Sequence, residues 1–158
     1  MALDTIIEFK KASIFQEDNL VLADVNLKVN KGEFIYLIGK VGSGKTSLIK
    51  TITAELPLKK GEGRVANFEL HKLKNKQVPY LRRKIGIVFQ DFQLLTDRTV
   101  LENLTFVLKA TGWKNKQEMK DRIDDALDKV GLKHKDFKMT HQLSGGEQQR
   151  IVIARALL

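Results

Sequence analysis

Gly39-Lys40-Val41-Gly42-Ser43-Gly44-Lys45-Thr46 has the residue types and spacing to hold a polyphosphate. The stretch fits the pattern G-x-x-x-x-G-K-[ST] at every fixed position. Gly42 and Gly44 permit backbone conformations that a Cβ forbids, so consecutive N–H groups can turn inward. Those donors, with the positive end of a following helix, make an anion site. In that reading Gly39, Val41, Gly42, Ser43, Gly44, Lys45, Thr46 and Ser47 line a nucleotide. Lys45 reaches its β- and γ-phosphates, and the Thr46 hydroxyl sits on Mg²⁺, which favours hard oxygen ligands. The competing reading is a glycine-rich strand-to-helix turn that binds nothing.

A second chemical stretch is Leu143-Ser144-Gly145-Gly146-Glu147-Gln148-Gln149-Arg150. Ser144-x-x-Glu147 is a capping box that opens a helix. A capping box leaves Gly145 and Gly146 unexplained, because glycine lowers helix propensity. Close approach of the helix N-terminus to an anion explains them, with the Ser144 hydroxyl as an added donor.

Two single residues are weaker candidates. Gln90 ends the apolar run Ile85-Gly86-Ile87-Val88-Phe89, and α/β sites lie at the carboxyl ends of strands. Taken alone, its residue type favours a turn residue. Phe15 is expected in the loop between the first two strands. It either stacks on an adenine or serves as a core aromatic, and residue type favours core.

Several elements must position these groups. Residues 33–38 and 85–89 read as buried strands, and residues 47–52 as the start of a helix. Residues 5–10 predict a first strand. Residues 20–29 alternate as a second, with a slip near Ala23. Asn30-Lys31-Gly32 predicts a turn, residues 57–63 a loop and residues 64–70 a short strand. Thr99-Val100-Leu101-Glu102 is a capping box, followed by apolar residues at helical spacing as far as Leu108. Gly112 ends that helix. Met119, Ile123, Ala126, Leu127 and Val130 form a second stripe, closed by Gly131.

The 158 residues suit one domain with a real core. The chain has no cysteine, so neither a disulfide framework nor a thiolate metal site is available. Residues 1–10 lack the pattern of a secretory signal. No apolar run approaches the roughly 18–20 residues of a membrane span. The net charge of +9 sits in small lysine and arginine clusters. Solvated surface is the plain reading; an anionic membrane surface, an acidic partner or nucleic acid are the sharper ones. No aromatic residues interleave with the clusters as a base-stacking platform, so no specific nucleic acid is expected. His71, His134 and His141 read as surface or helix-flanking residues.

Together these motifs resemble the ATP-binding subunits of ABC transporters. The stretch Leu143-Ser144-Gly145-Gly146-Glu147-Gln148 is similar to their signature motif, residues 39–46 to their Walker A, and Gln90 to their Q-loop glutamine. Phe15 falls about where their adenine-stacking aromatic sits. Residues 78–91 and 94–100 most resemble the FtsE-type cell-division branch, with lipoprotein-release and macrolide-export ATPases as near relatives.

The resemblance implies an α/β P-loop ATPase core with an antiparallel β subdomain and a helical insertion. Residues 1–96 would form the nucleotide-binding core and β subdomain, 97–142 the helical subdomain, and 143–158 the signature motif and helix. It implies ATP and Mg²⁺ as ligands, the metal near Thr46 and Gln90, with Lys45 and Gln90 acting in catalysis. It implies a head-to-tail homodimer, in which Ser144, Gly145 and Gly146 of one subunit cap ATP on the other. It also implies an integral membrane partner of FtsX type, touched around residues 92–98, and a cytoplasmic location on the inner face of the cell membrane. A soluble nucleic-acid-repair ATPase and a non-catalytic nucleotide-binding module are the alternatives from other classes.

The family's Walker B carboxylates, D-loop and switch histidine are not in this sequence. The expectation is therefore a fragment of a longer ATPase that binds ATP without useful hydrolysis. Apolar surface is expected to stay exposed where a central strand is lacking.

Overall fold

Alternation of apolar and polar residues produces the long strands β1 (Thr5–Gln16) and β2 (Asn19–Asn30), joined by a tight turn with Glu17 at φ 56°. The computed structural model describes residues 4–158 and divides into two compact units, Met1–Ile85 and Gly86–Leu158. The part of the N-terminal signal reading that falls on residues 1–3 lies outside the described residues.

In the first unit, β3 (Lys60–Val65) and β4 (Phe68–Glu69) complete an antiparallel sheet of order β2-β1-β3-β4. The slip foreseen near Ala23 is a register irregularity between the pairs Ala12–Val25 and Ile14–Leu22. Lys11 and Asp24 take φ of 46° and 52° there, and the Lys11 N–H donates to Asn26 Oδ1 at 3.0 Å. The extra residues kink both strands. Residues 64–70, expected as one strand, are split: Ala66 at φ 50° turns the chain, so Phe68 pairs back onto Val65. Helix α1 (Lys45–Ile52) buries Leu48 and Thr51. Leu48 joins Phe9, Ile14, Leu58, Val65 and Leu81 in this unit's core. Helix α2 (Val78–Arg82) carries Pro79 in its first turn, where no N–H is needed. Its Arg82 donates from Nε to the Thr53 carbonyl at 3.0 Å, satisfying a group at the C-terminus of α1.

The second unit is helical: α3 (Val100–Ala110), α4 (Lys116–Lys129) and α5 (Gly145–Leu157). Both expected apolar stripes face inward, with Leu101, Val107 and Val130 half-buried, and Val100, Leu104, Leu108, Ile123, Leu127 and Ile151 form one core. The foreseen caps are present. Thr99 Oγ1 accepts from the Glu102 N–H at 3.2 Å, and Glu102 Oε2 accepts from the Thr99 N–H at 2.8 Å. The next two N–H groups of α3 donate to the carbonyls of Lys138 and Asp136. Gly131 adopts φ 69°, and the Leu132 N–H donates to the Leu127 carbonyl, the bond of a Schellman cap.

Two expected strands differ. Residues 33–38 and 85–89 form no ladder with any strand among the described residues. Phe34, Tyr36 and Ile38 are 80%, 80% and 86% exposed, and Val88 is also exposed. Each run has the composition of a two-sided buried strand, but a strand acquires burial only from neighbours, and here none adjoins. The anticipated apolar surface is therefore present at both runs. Phe34 and Tyr36 meet edge to face, with ring centroids 4.9 Å apart.

Candidate functional site

The phosphate-loop stretch is a turn leading directly into α1, as its composition requires. Gly42 and Gly44 take φ of 81° and 87°. Gly44 is doubly constrained, because a Cβ there would come within 2.8 Å of Leu22 and 3.0 Å of Val21. The loop thus packs against β2 through a position where only glycine fits. Gly44 is also the N-cap of α1 and offers no side-chain cap to it. The first N–H groups of α1 have no such acceptor, which is the electrostatic arrangement an anion fills. No acidic residue lies in the first turn of α1 to compete.

Lys45 folds back over the loop. Its Nζ donates to the carbonyls of Gly39 at 2.8 Å and Lys40 at 2.7 Å, with Ser43 Oγ at 3.4 Å. The ammonium is folded over the loop and held by neutral oxygens that a phosphate can replace with stronger, charge-assisted bonds. Thr46 is exposed on the first turn and Val41 is fully exposed, whereas Ser47 is buried. The donor set fits a nucleotide's phosphates: backbone N–H groups, one ammonium and one exposed hydroxyl.

Upstream, the turn into the loop is fixed by Glu33. Its carboxylate accepts from the Asn30 backbone N–H at 2.6 Å and from Asn30 Nδ2 at 2.9 Å. The backbone bond first, then the side-chain bond, holds its carboxyl below the usual carboxylate range.

Phe15 lies in β1 opposite Leu20, not in the loop where it was expected, and its ring is half-buried. The register irregularity in the hairpin extends the strand past the point where alternation suggested an end.

In the second unit, Ser144 caps α5. Its Oγ accepts from the Glu147 N–H at 3.3 Å and donates to Glu147 Oε2 at 3.0 Å, and its backbone N–H donates to the same oxygen at 2.9 Å. Lys135 pairs with the other carboxylate oxygen at 3.2 Å. The Ser144 backbone bond, then its hydroxyl, then Lys135 hold the Glu147 carboxyl down at about 2. Gly145 and Gly146 have neither positive φ nor any atom within 4 Å of an added Cβ. Among the described residues no packing contact requires glycine at either position. Gln90 is exposed, just before the turn at Phe92 and Gln93.

Two residues escaped the sequence reading. Asn103 is 3% exposed inside α3 and holds the preceding loop: its Oδ1 accepts from the Leu95 N–H at 2.8 Å, and its Nδ2 donates to the carbonyls of Thr99 at 2.9 Å and Leu95 at 3.1 Å. A lone asparagine on the buried face of an apolar helix, four residues after an N-cap, was the available signal. Arg155 donates to the carbonyls of Gln93 at 2.6 Å and Phe92 at 2.9 Å. No local pattern foretells that pairing, because its partners lie 62 and 63 residues away.

Comparison with known proteins agrees with these features. A family model described as ABC transporter matches residues 22–158. The cell division ATP-binding protein FtsE of Streptococcus pneumoniae serotype 2 is 44% identical over 144 residues, covering 91% of this chain and 62% of the relative. The methionine import ATP-binding protein MetN 1 of Acinetobacter baylyi is 41% identical over 137 residues, covering 87% of this chain and 38% of the relative. Among solved structures, the dimeric structure of MJ0796, a bacterial ABC transporter cassette, aligns with a TM-score of 0.82 at 32% identity, over 95% of this chain and 68% of that one. The chain spans about 62% of the length of the FtsE relative it matches.

Proposed function

This chain belongs to the ABC transporter family, and we propose from that premise that it binds ATP as the ATPase subunit of an ABC-type complex. The α/β P-loop architecture with an antiparallel β subdomain and a helical part is that of ABC ATPase cassettes. In this reading the loop formed by Gly39, Val41, Gly42, Ser43, Gly44, Lys45, Thr46 and Ser47 holds the phosphates. Thr46 and Gln90 supply oxygen ligands to Mg²⁺, which would neutralise charge on the phosphates. Phe15 stacks on the adenine.

The observation that carries the composite-site reading is the open first turn of α5. Gly145 and Gly146 answer no packing demand among the described residues, yet they bare the positive end of a helix beside the Ser144 hydroxyl. That arrangement is explained by the approach of a phosphate from outside the chain. We assign the phosphate to ATP on a second copy, in a head-to-tail homodimer. The dimeric form of the MJ0796 cassette supports this reading.

Similarity to FtsE supports a role in cell division, with an integral membrane partner of FtsX type contacting the surface around residues 92–98. Among the described residues no helix is long and apolar enough to cross a membrane. We place the protein in the cytoplasm, peripheral on the inner face of the membrane. The likeness to MetN keeps a second reading in play, an ATPase subunit of a transport complex, alongside the lipoprotein-release and macrolide-export types.

Co-purification of the full-length protein from membranes, repeated with Lys45→Ala, tests the proposal. ATP binding abolished by Lys45→Ala, together with a division-type membrane partner, supports it. Retained ATP binding in the variant, or a substrate-transport partner, refutes the corresponding half. The 158-residue polypeptide is proposed to bind ATP without turning it over. Steady phosphate release from that polypeptide would show this to be wrong.

A further inference from the structure

The turn that follows Gln90 is strained. Phe92 and Gln93 are consecutive non-glycine residues at φ 59° and 49°, a conformation that persists only when its surroundings hold it. Within the turn, the Gln93 N–H donates to the Asp91 carbonyl at 2.6 Å. From outside it, Arg155 supplies the hold: one guanidinium forks onto two successive carbonyls, those of Phe92 and Gln93. The planar fork suits this task, since lysine offers a single point charge. Arg155 is also half-buried against the turn. Burial lowers its pKa and the nearby Asp91 carboxylate opposes that shift.

Arg155 lies on α5, about three turns from Ser144. The same helix therefore carries the exposed glycine turn at one end and grips the turn after Gln90 near the other. The far end of the segment is held by a different helix, because Asn103 of α3 fixes Leu95 and Thr99. Residues 91–99 are thus a strap fastened at two points to two helices.

We infer that Arg155 is a positioning residue that makes the turn after Gln90 move as one body with α5, so that a displacement at Gln90 is delivered to Ser144, Gly145 and Gly146. The inference rests on the proposed ATPase function for its consequence, but the clamp itself is independent of that function.

The test uses the full-length protein with Arg155→Lys and Arg155→Met, followed by amide hydrogen exchange and phosphate-release kinetics. Loss of the fork is expected to speed exchange at residues 91–95 about tenfold. Protection within α3 and the thermal midpoint should stay close to wild type in Arg155→Lys. ATP affinity and KM should be unchanged while kcat falls several-fold. Wild-type exchange at residues 91–95 in both variants overturns the clamp. Faster exchange with an unchanged kcat overturns the coupling. A uniform loss of protection across α3 and α5 in Arg155→Lys shows a general structural role and also overturns it. If the wild-type protein binds no ATP, the functional reading fails, and exchange at residues 91–95 still decides the clamp.

Discussion

Glu147 grips Ser144 from both sides: its carboxylate accepts from the serine's N–H and hydroxyl, and its own N–H donates to the serine's Oγ. The pairing caps α5 and also engages the hydroxyl proposed to face a phosphate. To donate to a ligand, Ser144 must release Glu147 Oε2, a rotation about one bond. The folded carboxyl titrates at about 2, below its ordinary 4.5. Its stabilising contribution is present in full above about pH 4.5 and is lost as pH falls towards 2. In Glu147→Gln, helicity followed at 222 nm should fall less steeply across that window. An unaltered acid limb would mean that the carboxylate does not hold the cap. Ser144→Ala, which removes the cap itself, should cost about 1 kcal/mol at neutral pH by urea denaturation.

Glycine substitutions should separate folding from ligand approach. Gly44→Ala forces a Cβ into Leu22 at a positive φ, so it should destabilise by about 1–3 kcal/mol and abolish nucleotide binding. Gly146→Ala meets only open space in a helix, so it should leave stability equal or higher by up to about 1 kcal/mol. The same change should prevent ATP-dependent dimerisation, read by light scattering. A destabilised Gly146→Ala, or one that dimerises normally, contradicts this account.

Lys45→Met removes an ammonium whose present partners are loop oxygens. Lost charge-assisted bonds, worth about 1.5–3 kcal/mol each, should weaken ATP binding at least tenfold by calorimetry. The fold should persist, because the ammonium belongs to no apolar core. An unchanged affinity would mean that the lysine does not reach the nucleotide.

Asn103→Leu should be costly despite similar volume. It strands the Leu95 N–H in a partly buried site, where an unsatisfied group costs about 1–3 kcal/mol, while the Leu95 and Thr99 carbonyls keep the backbone N–H groups of Arg98 and Asn103 as donors. The expected loss is about 1–3 kcal/mol in denaturation. Exchange at residues 95–99 should rise more than exchange at residues 119–127. A loss below 1 kcal/mol would show that water replaces the asparagine.

Residue order alone sufficed wherever a feature depends on contacts a few residues apart. The capping boxes at Thr99 and Ser144, the glycine stops at Gly112 and Gly131 and the glycine-rich turn at residues 39–46 are local devices. Each formed where its residues stood. The slip in β2 was legible for the same reason, since alternation records which face each residue takes. Tertiary structure alone decided the rest. Residues 33–38 have a strand's composition and no ladder, because a ladder is the property of a pair. Phe15 joined a strand because Leu20 lay opposite it. Arg155 found its carbonyls across more than sixty residues, and no periodicity encodes such a meeting. Short-range geometry is written in residue order; long-range partners are chosen by the folded chain, which sets at once the burial, the strain and the hydrogen bonds that hold Gln90's turn to α5.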